Sequence, residues 1–442
     1  MSETPSPRRD VASLARAARR ASRKLALLSG ETRTAALSAM ASALEKNGHR
    51  ILAANSKDCG AAERLLFTGE MTPALISRLR IKESGIGEMT ARVREVANLP
   101  DPLGKRLAVT ELDQGLILSK ESCPLGVIAV VFESRPDVVP QVASLALKSG
   151  NALLLKGGTE AAHSSETIVD VWKETLLRFP EAPADSLQLL QSRSDVTELL
   201  HLQGEVDLLI PRGSKEFVAF MEQHSRIPVL GHGEGICHVF VDRAADLHKA
   251  VSITMDSKIQ YPAACNSVET LLVHQDIAAA FLPRAVAELR KERVEVRGCP
   301  RVLALLGDSS LTPATEQDWA KEYSDLILAV RIVDSLEQAL EHIHRYGSKH
   351  TECIVTNDQT AAERFLQEVD AAGVFHNAST RFADGYRYGL GAEVGISNSK
   401  LHARGPMGIE GLTTYKYKLR GDGHTVAEYS SGARHFKHKS LG

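Results

Sequence analysis

"GVIAVVFESRPDVVPQVASLALKSGNALLLKGG", residues 126–158, decides the fold class. Val127–Phe132 is an unbroken apolar run of strand length, and Ala152–Leu155 is a second. Between them apolar residues recur at helical spacing over Val138–Lys148, and Gly150 stands where a helix is closed by a left-handed residue. Strand, helix and strand, with no polar face on either strand, make a βαβ unit with a right-handed crossover.

The same alternation continues on both sides. A helix over 160–178, a strand near 187–190, a helix over 195–203, a strand Val206–Ile210, a helix over 214–224 and a strand Ile227–Leu230 follow. Five short strands alternating with helices predict an α/β, doubly wound, mostly parallel sheet with its ligand at the strands' C-terminal ends. A second α/β lobe follows Gly231, with strands at Cys237–Val241, Val268–Val273, Val302–Leu306, Leu326–Val330 and Thr351–Val355 and helices over 246–257, 277–292, 335–345 and 358–370. Ahead of the first lobe, residues 10–100 read as helices, and 107–126 alternate like a β-hairpin turning at Asp113-Gln114-Gly115. The stretch 376–415 is glycine- and aromatic-rich and loop-like, and Gly421–Gly442 is a polar tail of weak periodicity.

Composition narrows the function classes. With 442 residues, 43% apolar and 24% charged, the chain can bury a large core in two or three domains. Lys and Arg number 53 against 55 Asp and Glu, a net charge of −2 that carries no footprint for nucleic acid. No apolar stretch reaches the ~18 residues of a membrane helix. The six cysteines lie far apart with no paired Cys/His spacing, which argues against a metal site and a disulfide framework and for free thiols in a reducing compartment. Met1–Arg9 reads as a disordered leader. The basic, alanine-rich stretch Arg8–Lys24 is read as a surface helix of the folded domain, with organelle targeting as the alternative.

No G-x-G-x-x-G follows the first strand, so a nucleotide bound in this lobe is held by another arrangement. Lys156 ends a strand beside two glycines and is either a ribose or phosphate contact or a solvated turn. Gly213-Ser214 stand between a strand and a helix N-terminus, where an anion fits and where a serine cap alone fits equally. Arg135 in the first strand–helix turn either clamps a carboxylate or phosphate or pairs with Asp137, which is expected to cap the next helix. The bend "VLGHGEG", residues 229–235, offers His232 and Glu234 as acid–base groups or is a hinge of small residues. Cys265, in "YPAACNSVETLLVH", is either the buried filler that a lone cysteine most often is or a reactive thiol.

Taken together, a helical N-terminus, a hairpin, a nucleotide lobe without the glycine fingerprint and a second lobe with an isolated cysteine resemble the layout of the aldehyde dehydrogenase superfamily. Within it, "CPLGVIAVVFESRPDVVPQVASLALKSGNALLLKGG", "DLLIPRGS", "YPAACNSVETLLVH", "SDLILAV", "YGSKHTECIVT" and "NASTRFADGYRYGLGAEVGISNSKLHARGPMGIEGL" look like the γ-glutamyl phosphate reductase family and the similar reductase module of pyrroline-5-carboxylate synthase.

That resemblance implies NADPH-dependent reduction of L-glutamyl 5-phosphate to L-glutamate 5-semialdehyde in proline biosynthesis, with Cys265 as nucleophile and a thioester as intermediate. It implies an oxyanion site from main-chain N–H groups around Ala264–Asn266, helped by Asn266 or Ser134. Lys156, Gly213, Ser214 and Glu322 match cofactor-binding positions, and Ser379, Thr380 and Arg381, with Arg135, match the loop that anchors the substrate. Where oxidising relatives carry a glutamate base, this chain has Gly231, which suits a reductase; an oxidoreductase acting on another small acyl phosphate or aldehyde is the alternative. The implied organisation is a nucleotide-binding domain of 10–106 and 125–231, a catalytic domain of 232–405 and an oligomerisation arm of 107–124 and 406–425, before a tail of 426–442. The implied setting is cytoplasmic, as a homodimer or higher oligomer coupled to a glutamate 5-kinase.

Overall fold

A computed structural model of the chain describes residues 10–67, 71, 73–231 and 234–442. The leader Met1–Arg9 and the bend residues His232 and Gly233 lie outside them. The chain divides into two compact units, one made of 1–230, 390–395 and 407–442, the other of 231–389 and 396–406.

The first unit holds two sheets. The hairpin strands are β1 (Arg106–Asp113) and β2 (Leu116–Pro124), turning at Gly115 with φ +77°. The strands β3 (Val127–Phe132), β4 (Ala152–Lys156), β5 (Leu187–Leu189) and β6 (Leu208–Arg212) form a parallel sheet in the order β5-β4-β3-β6. Every residue of β3 is buried, as a central strand covered on both faces requires. Its first N–H donates to Asp207 Oδ2 at 2.7 Å, and Arg19 Nη1 holds the same oxygen at 2.7 Å, joining the N-terminal helix Val11–Leu25 to the sheet edge. From Val11 on, the basic stretch is thus a helix of the folded unit, capped by Asp10; Arg8 and Arg9 lie outside the described residues. Ile227–Leu230 does not form the expected fifth strand: only Val229 bridges Leu209, and Pro228 has no N–H to extend a ladder.

The second unit carries β7 (Cys237–Val241), β8 (Val268–His274), β9 (Glu295–Gly298), β10 (Thr312–Pro313), β11 (Ile327–Val333), β12 (Thr351–Val355) and β13 (Gly373–His376) in one parallel sheet, ordered β10-β9-β11-β8-β7-β12-β13. Alternate residues feed two cores: Leu271 and Val273 pack with Phe281 and Leu289, while Leu272 packs with Phe240, Ile354 and Phe365. Full burial of each such side chain contributes roughly 1.5–3 kcal/mol. Val302–Leu306 is a helix (Pro300–Leu306), not the expected strand; Pro300 presets its first turn and Gly307, at φ +60°, ends it. The strand of that region is β9.

The 376–415 stretch is largely loop, with short strands β14 (Ile396–Ser397) and β15 (Gly405–Pro406) pairing antiparallel. In the first unit β16 (Thr413–Arg420) adds to β2, and β17 (Lys439–Ser440) adds to β1, giving a second sheet of order β16-β2-β1-β17. The tail therefore folds along the hairpin, where Asp113 accepts from Tyr429 Oη at 3.1 Å and pairs with Lys437 Nζ at 3.2 Å.

Candidate active site

In the first unit the candidates gather at one edge of the parallel sheet. Ser134 and Arg135 follow β3, Lys156 ends β4, and Gly213-Ser214 follow β6, all at C-terminal ends of strands. Lys156 is buried, its ammonium donates to the Gly157 carbonyl, and burial pushes its pKa down against the pull of Glu160. Beside it lies a cavity of about 150 Å³ lined by Gly157, Gly158, Thr159, Ala162, Leu189 and Leu190. A Cβ at Gly158 would fall 1.9 Å from Glu160 Oε1, so a side chain there would displace the Glu160 carboxylate. Ser214 caps the helix Lys215–His224, its hydroxyl accepting the Phe217 N–H at 3.3 Å. The cavity lies on the β4–β5 side of the sheet, and the Ser214 helix follows β6, on the far side of β3.

Two candidates at this edge have partners of their own. Ser134, at φ +41°, directs both its N–H, at 2.9 Å, and its hydroxyl to Glu160 Oε1, so the one proton an oxyanion role needs is given to a carboxylate. Arg135 Nη2 pairs with Asp137 Oδ2 at 3.0 Å. Asp137 occupies the cap position of the helix Val138–Lys148 but makes no cap hydrogen bond, a correction to its expected role: its carboxylate serves Arg135 instead.

In the second unit Cys265 stands in the turn between the helix Leu247–Ile259 and β8. It is half-buried, whereas Cys59, Cys237, Cys299 and Cys353 are buried. The Ala264 N–H is spent on the Tyr261 carbonyl at 3.1 Å, which removes it from the expected oxyanion donors. Asn266, buried, donates from Nδ2 to the Ala383 carbonyl at 2.8 Å. Thr380 Oγ1 donates to the Asn266 carbonyl at 2.7 Å, and its N–H donates to Ser257 Oγ at 3.2 Å. Ser379 Oγ accepts from Arg381 N–H and from Ser257 Oγ, each at 3.2 Å.

Ser379 and Thr380 therefore tie the 379–383 loop to the Cys265 turn. Arg381 is the member of the trio that brings charge: buried, its Nε donates to Gln260 Oε1 at 2.9 Å and its guanidinium lies 5.9 Å from the Tyr261 ring centre. Glu322 accepts the Gly235 N–H at 2.9 Å, and Gly235 backs directly onto the Cys265 main chain.

Sequence reading missed Gly235, Ser257, Gln260 and Glu160. Gly235 alone had a signal, as a glycine in the bend; the others act through contacts distant in sequence. Among the described residues no group of three His, Cys, Asp or Glu side chains is placed to hold a metal ion, and no helix is long and apolar enough to cross a membrane.

Two doubly wound units, a candidate dinucleotide edge and a half-buried cysteine ahead of a central strand define the class as aldehyde dehydrogenase-like. The profile of the aldehyde dehydrogenase family matches residues 4–300. A γ-glutamyl phosphate reductase of Synechococcus sp. (strain JA-3-3Ab) is 55% identical over 96% of this chain and 92% of its own. Another, of Cyanothece sp. (strain PCC 7425 / ATCC 29141), is 52% identical over 100% of both chains. The crystal structure of γ-glutamyl phosphate reductase from Thermotoga maritima superposes with a TM-score of 0.90 at 40% identity, covering 94% of this chain and 99% of that one. The chain belongs to the aldehyde dehydrogenase family and, within it, to the γ-glutamyl phosphate reductases. It is accordingly an oxidoreductase with a nicotinamide cofactor.

Proposed function

We propose that this chain reduces L-glutamyl 5-phosphate to L-glutamate 5-semialdehyde and phosphate with NADPH, through a thioester on Cys265. The observation that carries the reading is the Cys265 turn: a half-buried thiol whose main chain rests on Gly235, itself held by the carboxylate of Glu322. Membership in the reductase family supports the substrate.

The Cys265 thiolate attacks the acyl phosphate carbon, a C–S bond forms, and the C–O bond breaks as phosphate leaves. The Asn266 amide and the main-chain N–H groups of Cys265 and Asn266 take the negative charge that develops on the carbonyl oxygen. NADPH, when bound, supplies a hydride to the thioester carbon. Cys265 then leaves as thiolate from the resulting thiohemiacetal, giving the aldehyde.

On this reading Glu322 holds the nicotinamide ribose, Lys156 the adenosine ribose and its 2′-phosphate, and Gly213-Ser214 face the pyrophosphate. The α-carboxylate of the glutamyl group falls to Arg381, buried beside the turn, and to Arg135 once released from Asp137. Gly231 offers no carboxylate to activate water, so the thioester persists until hydride arrives.

The first unit then serves cofactor binding and the second catalysis. The hairpin with β16, an edge strand bearing the exposed Tyr415, Tyr417 and Leu419, serves association into at least a homodimer. The substrate is the product of a glutamate 5-kinase, which couples the two enzymes in the cytoplasm.

The test is the reverse reaction: NADP⁺-dependent oxidation of glutamate semialdehyde should require phosphate. Oxidation that proceeds at the same rate without phosphate would mark an aldehyde dehydrogenase and overturn the reading.

A further inference from the structure

A fully buried ion pair brackets the Cys265 turn. Lys258, in the last turn of the helix Leu247–Ile259, and Glu269, the second residue of β8, meet at 2.7 Å with 0% of either side chain exposed. Removing two charges from water costs several kcal/mol per ion, which mutual attraction repays only in part. Such a pair is poor evidence for stability and better evidence for a constraint on geometry.

Its contacts show what is constrained. Glu269 Oε1 accepts the Ser324 N–H at 3.3 Å, and Ser324 sits at φ +52°, a left-handed conformation that a serine adopts at a cost. The same turn presents Glu322, whose carboxylate holds the Gly235 N–H at 2.9 Å. Gly235 in turn backs onto the Cys265 carbonyl, and Cys237 Sγ donates to that carbonyl at 3.4 Å. Contacts run from Lys258 through Glu269 to Ser324 and from Glu322 through Gly235 to Cys265, and the chain segments 322–324 and 258–265 join their ends, a ring of contacts and main chain within the second unit.

We propose that the Lys258–Glu269 pair is a positioning device that sets the Glu322 carboxylate and the Cys265 turn together, so that grip on the cofactor and reactivity of the nucleophile are coupled. Neither residue touches the reacting atoms on this reading; both act through the ring.

The groups facing the pair are the Tyr323 ring, 6.0 Å from Lys258 Nζ, with Arg297 and Lys321 on that ring, the carboxylates of Glu322 and Asp325, and the Cys237 thiol, which burial pushes up and keeps neutral. Burial pushes the Glu269 carboxyl up to about 7, opposed by Lys258. Above that pH Glu269 is a carboxylate and the ring is closed; below it the neutral acid holds Lys258 and the Ser324 N–H less tightly.

The test uses the full chain with Lys258→Met/Glu269→Gln, which leaves no lone buried charge. Thermal unfolding, NADPH affinity by fluorescence and the rate of Cys265 alkylation by iodoacetamide are measured together. NADPH affinity and alkylation rate are both expected to fall about tenfold while the melting temperature stays near that of the wild type. A double variant with wild-type affinity and alkylation, or one in which only one of them moves, overturns the proposal.

Should the double variant not fold, the wild-type enzyme supplies the second measurement between pH 8.5 and 6.5, above the second ionisation of the cofactor's 2′-phosphate at about 6. NADPH affinity is expected to weaken with a midpoint near 7, and a flat profile overturns the proposal. The inference rests on the roles of Cys265 and Glu322 given above. Failure of those roles shows as wild-type enzyme that neither binds NADPH nor is alkylated first at Cys265; failure of the inference shows as variants that do both like the wild type.

Discussion

Gly235 lies so close to Cys265 that a Cβ built on it would fall 1.9 Å from the Cys265 carbonyl oxygen. No side chain fits there without moving the Cys265 turn or the Glu322 loop that holds the Gly235 N–H. Gly235→Ala is expected to fold and to lose roughly 100-fold in kcat, the scale of an ångström-sized misplacement at a reacting centre. Steady-state kinetics with circular dichroism as the folding control checks this; wild-type kcat would rule it out.

Cys265→Ala should abolish turnover and leave NADPH binding unchanged. In the wild type, intact-mass analysis after mixing with acyl phosphate and no NADPH should show a glutamyl adduct on Cys265. Four of the other five cysteines are buried, so brief alkylation should reach Cys265 ahead of them. Substantial turnover by the alanine variant would remove Cys265 from the mechanism.

Asn266→Ala breaks the 2.8 Å bond to the Ala383 carbonyl and removes the candidate oxyanion amide. Leaving that carbonyl unsatisfied should cost about 1–3 kcal/mol in stability, read from urea unfolding. The loss in kcat should be larger than for Thr380→Val, which loosens the same loop but keeps the amide. Equal losses in the two variants would assign Asn266 a purely structural part.

Lys156→Ala should raise the KM for NADPH more than that for NADH, because only NADPH carries the extra phosphate that an ammonium at the end of β4 would meet. Parallel changes in both constants would place the lysine on the ribose alone.

His342 gives a pH dependence of stability. It is buried, its Nδ1 takes a hydrogen bond from Arg331 Nη1 at 2.9 Å, and burial together with His238, Arg331 and Arg345 pushes its pKa down to about 2. An unfolded histidine titrates near 6.5. The folded value is therefore the lower one, so the stabilisation is present above pH 6.5 and lost as pH falls from there toward 2. Between pH 6 and pH 5 the wild type should lose up to about 1.4 kcal/mol more than His342→Gln, measured by urea unfolding at each pH. Equal slopes would mean that His342 accepts a proton in place.

The architecture was legible wherever apolar runs were long and cleanly bounded. Val127–Phe132 and Ala152–Leu155 read as buried strands because strands covered on both faces are continuous apolar runs, and Val268–Val273 read as one from its aliphatic residues despite Glu269 and Thr270. The reading failed at Val302–Leu306, where a short apolar run has no periodicity to separate strand from helix and Pro300 with Gly307 decided for helix. It failed again at Gly421–Gly442, because pairing with β1 and the Asp113 contacts depend on a partner far away in sequence.

The sequence by itself determined the α/β class, the family and the identity of the isolated cysteine ahead of a buried strand, since these are written in local runs and contiguous strings. Only the tertiary structure decided how that cysteine is held. Gly235, Glu322, Ser324, the Lys258–Glu269 pair and the 379–383 loop surround the turn through contacts between residues remote along the chain. The commitments of Ser134 to Glu160 and of Asp137 to Arg135 were settled there too. A hydroxyl has one proton to give and a side chain few partners it can serve, and which partner receives it depends on distances that local sequence does not encode.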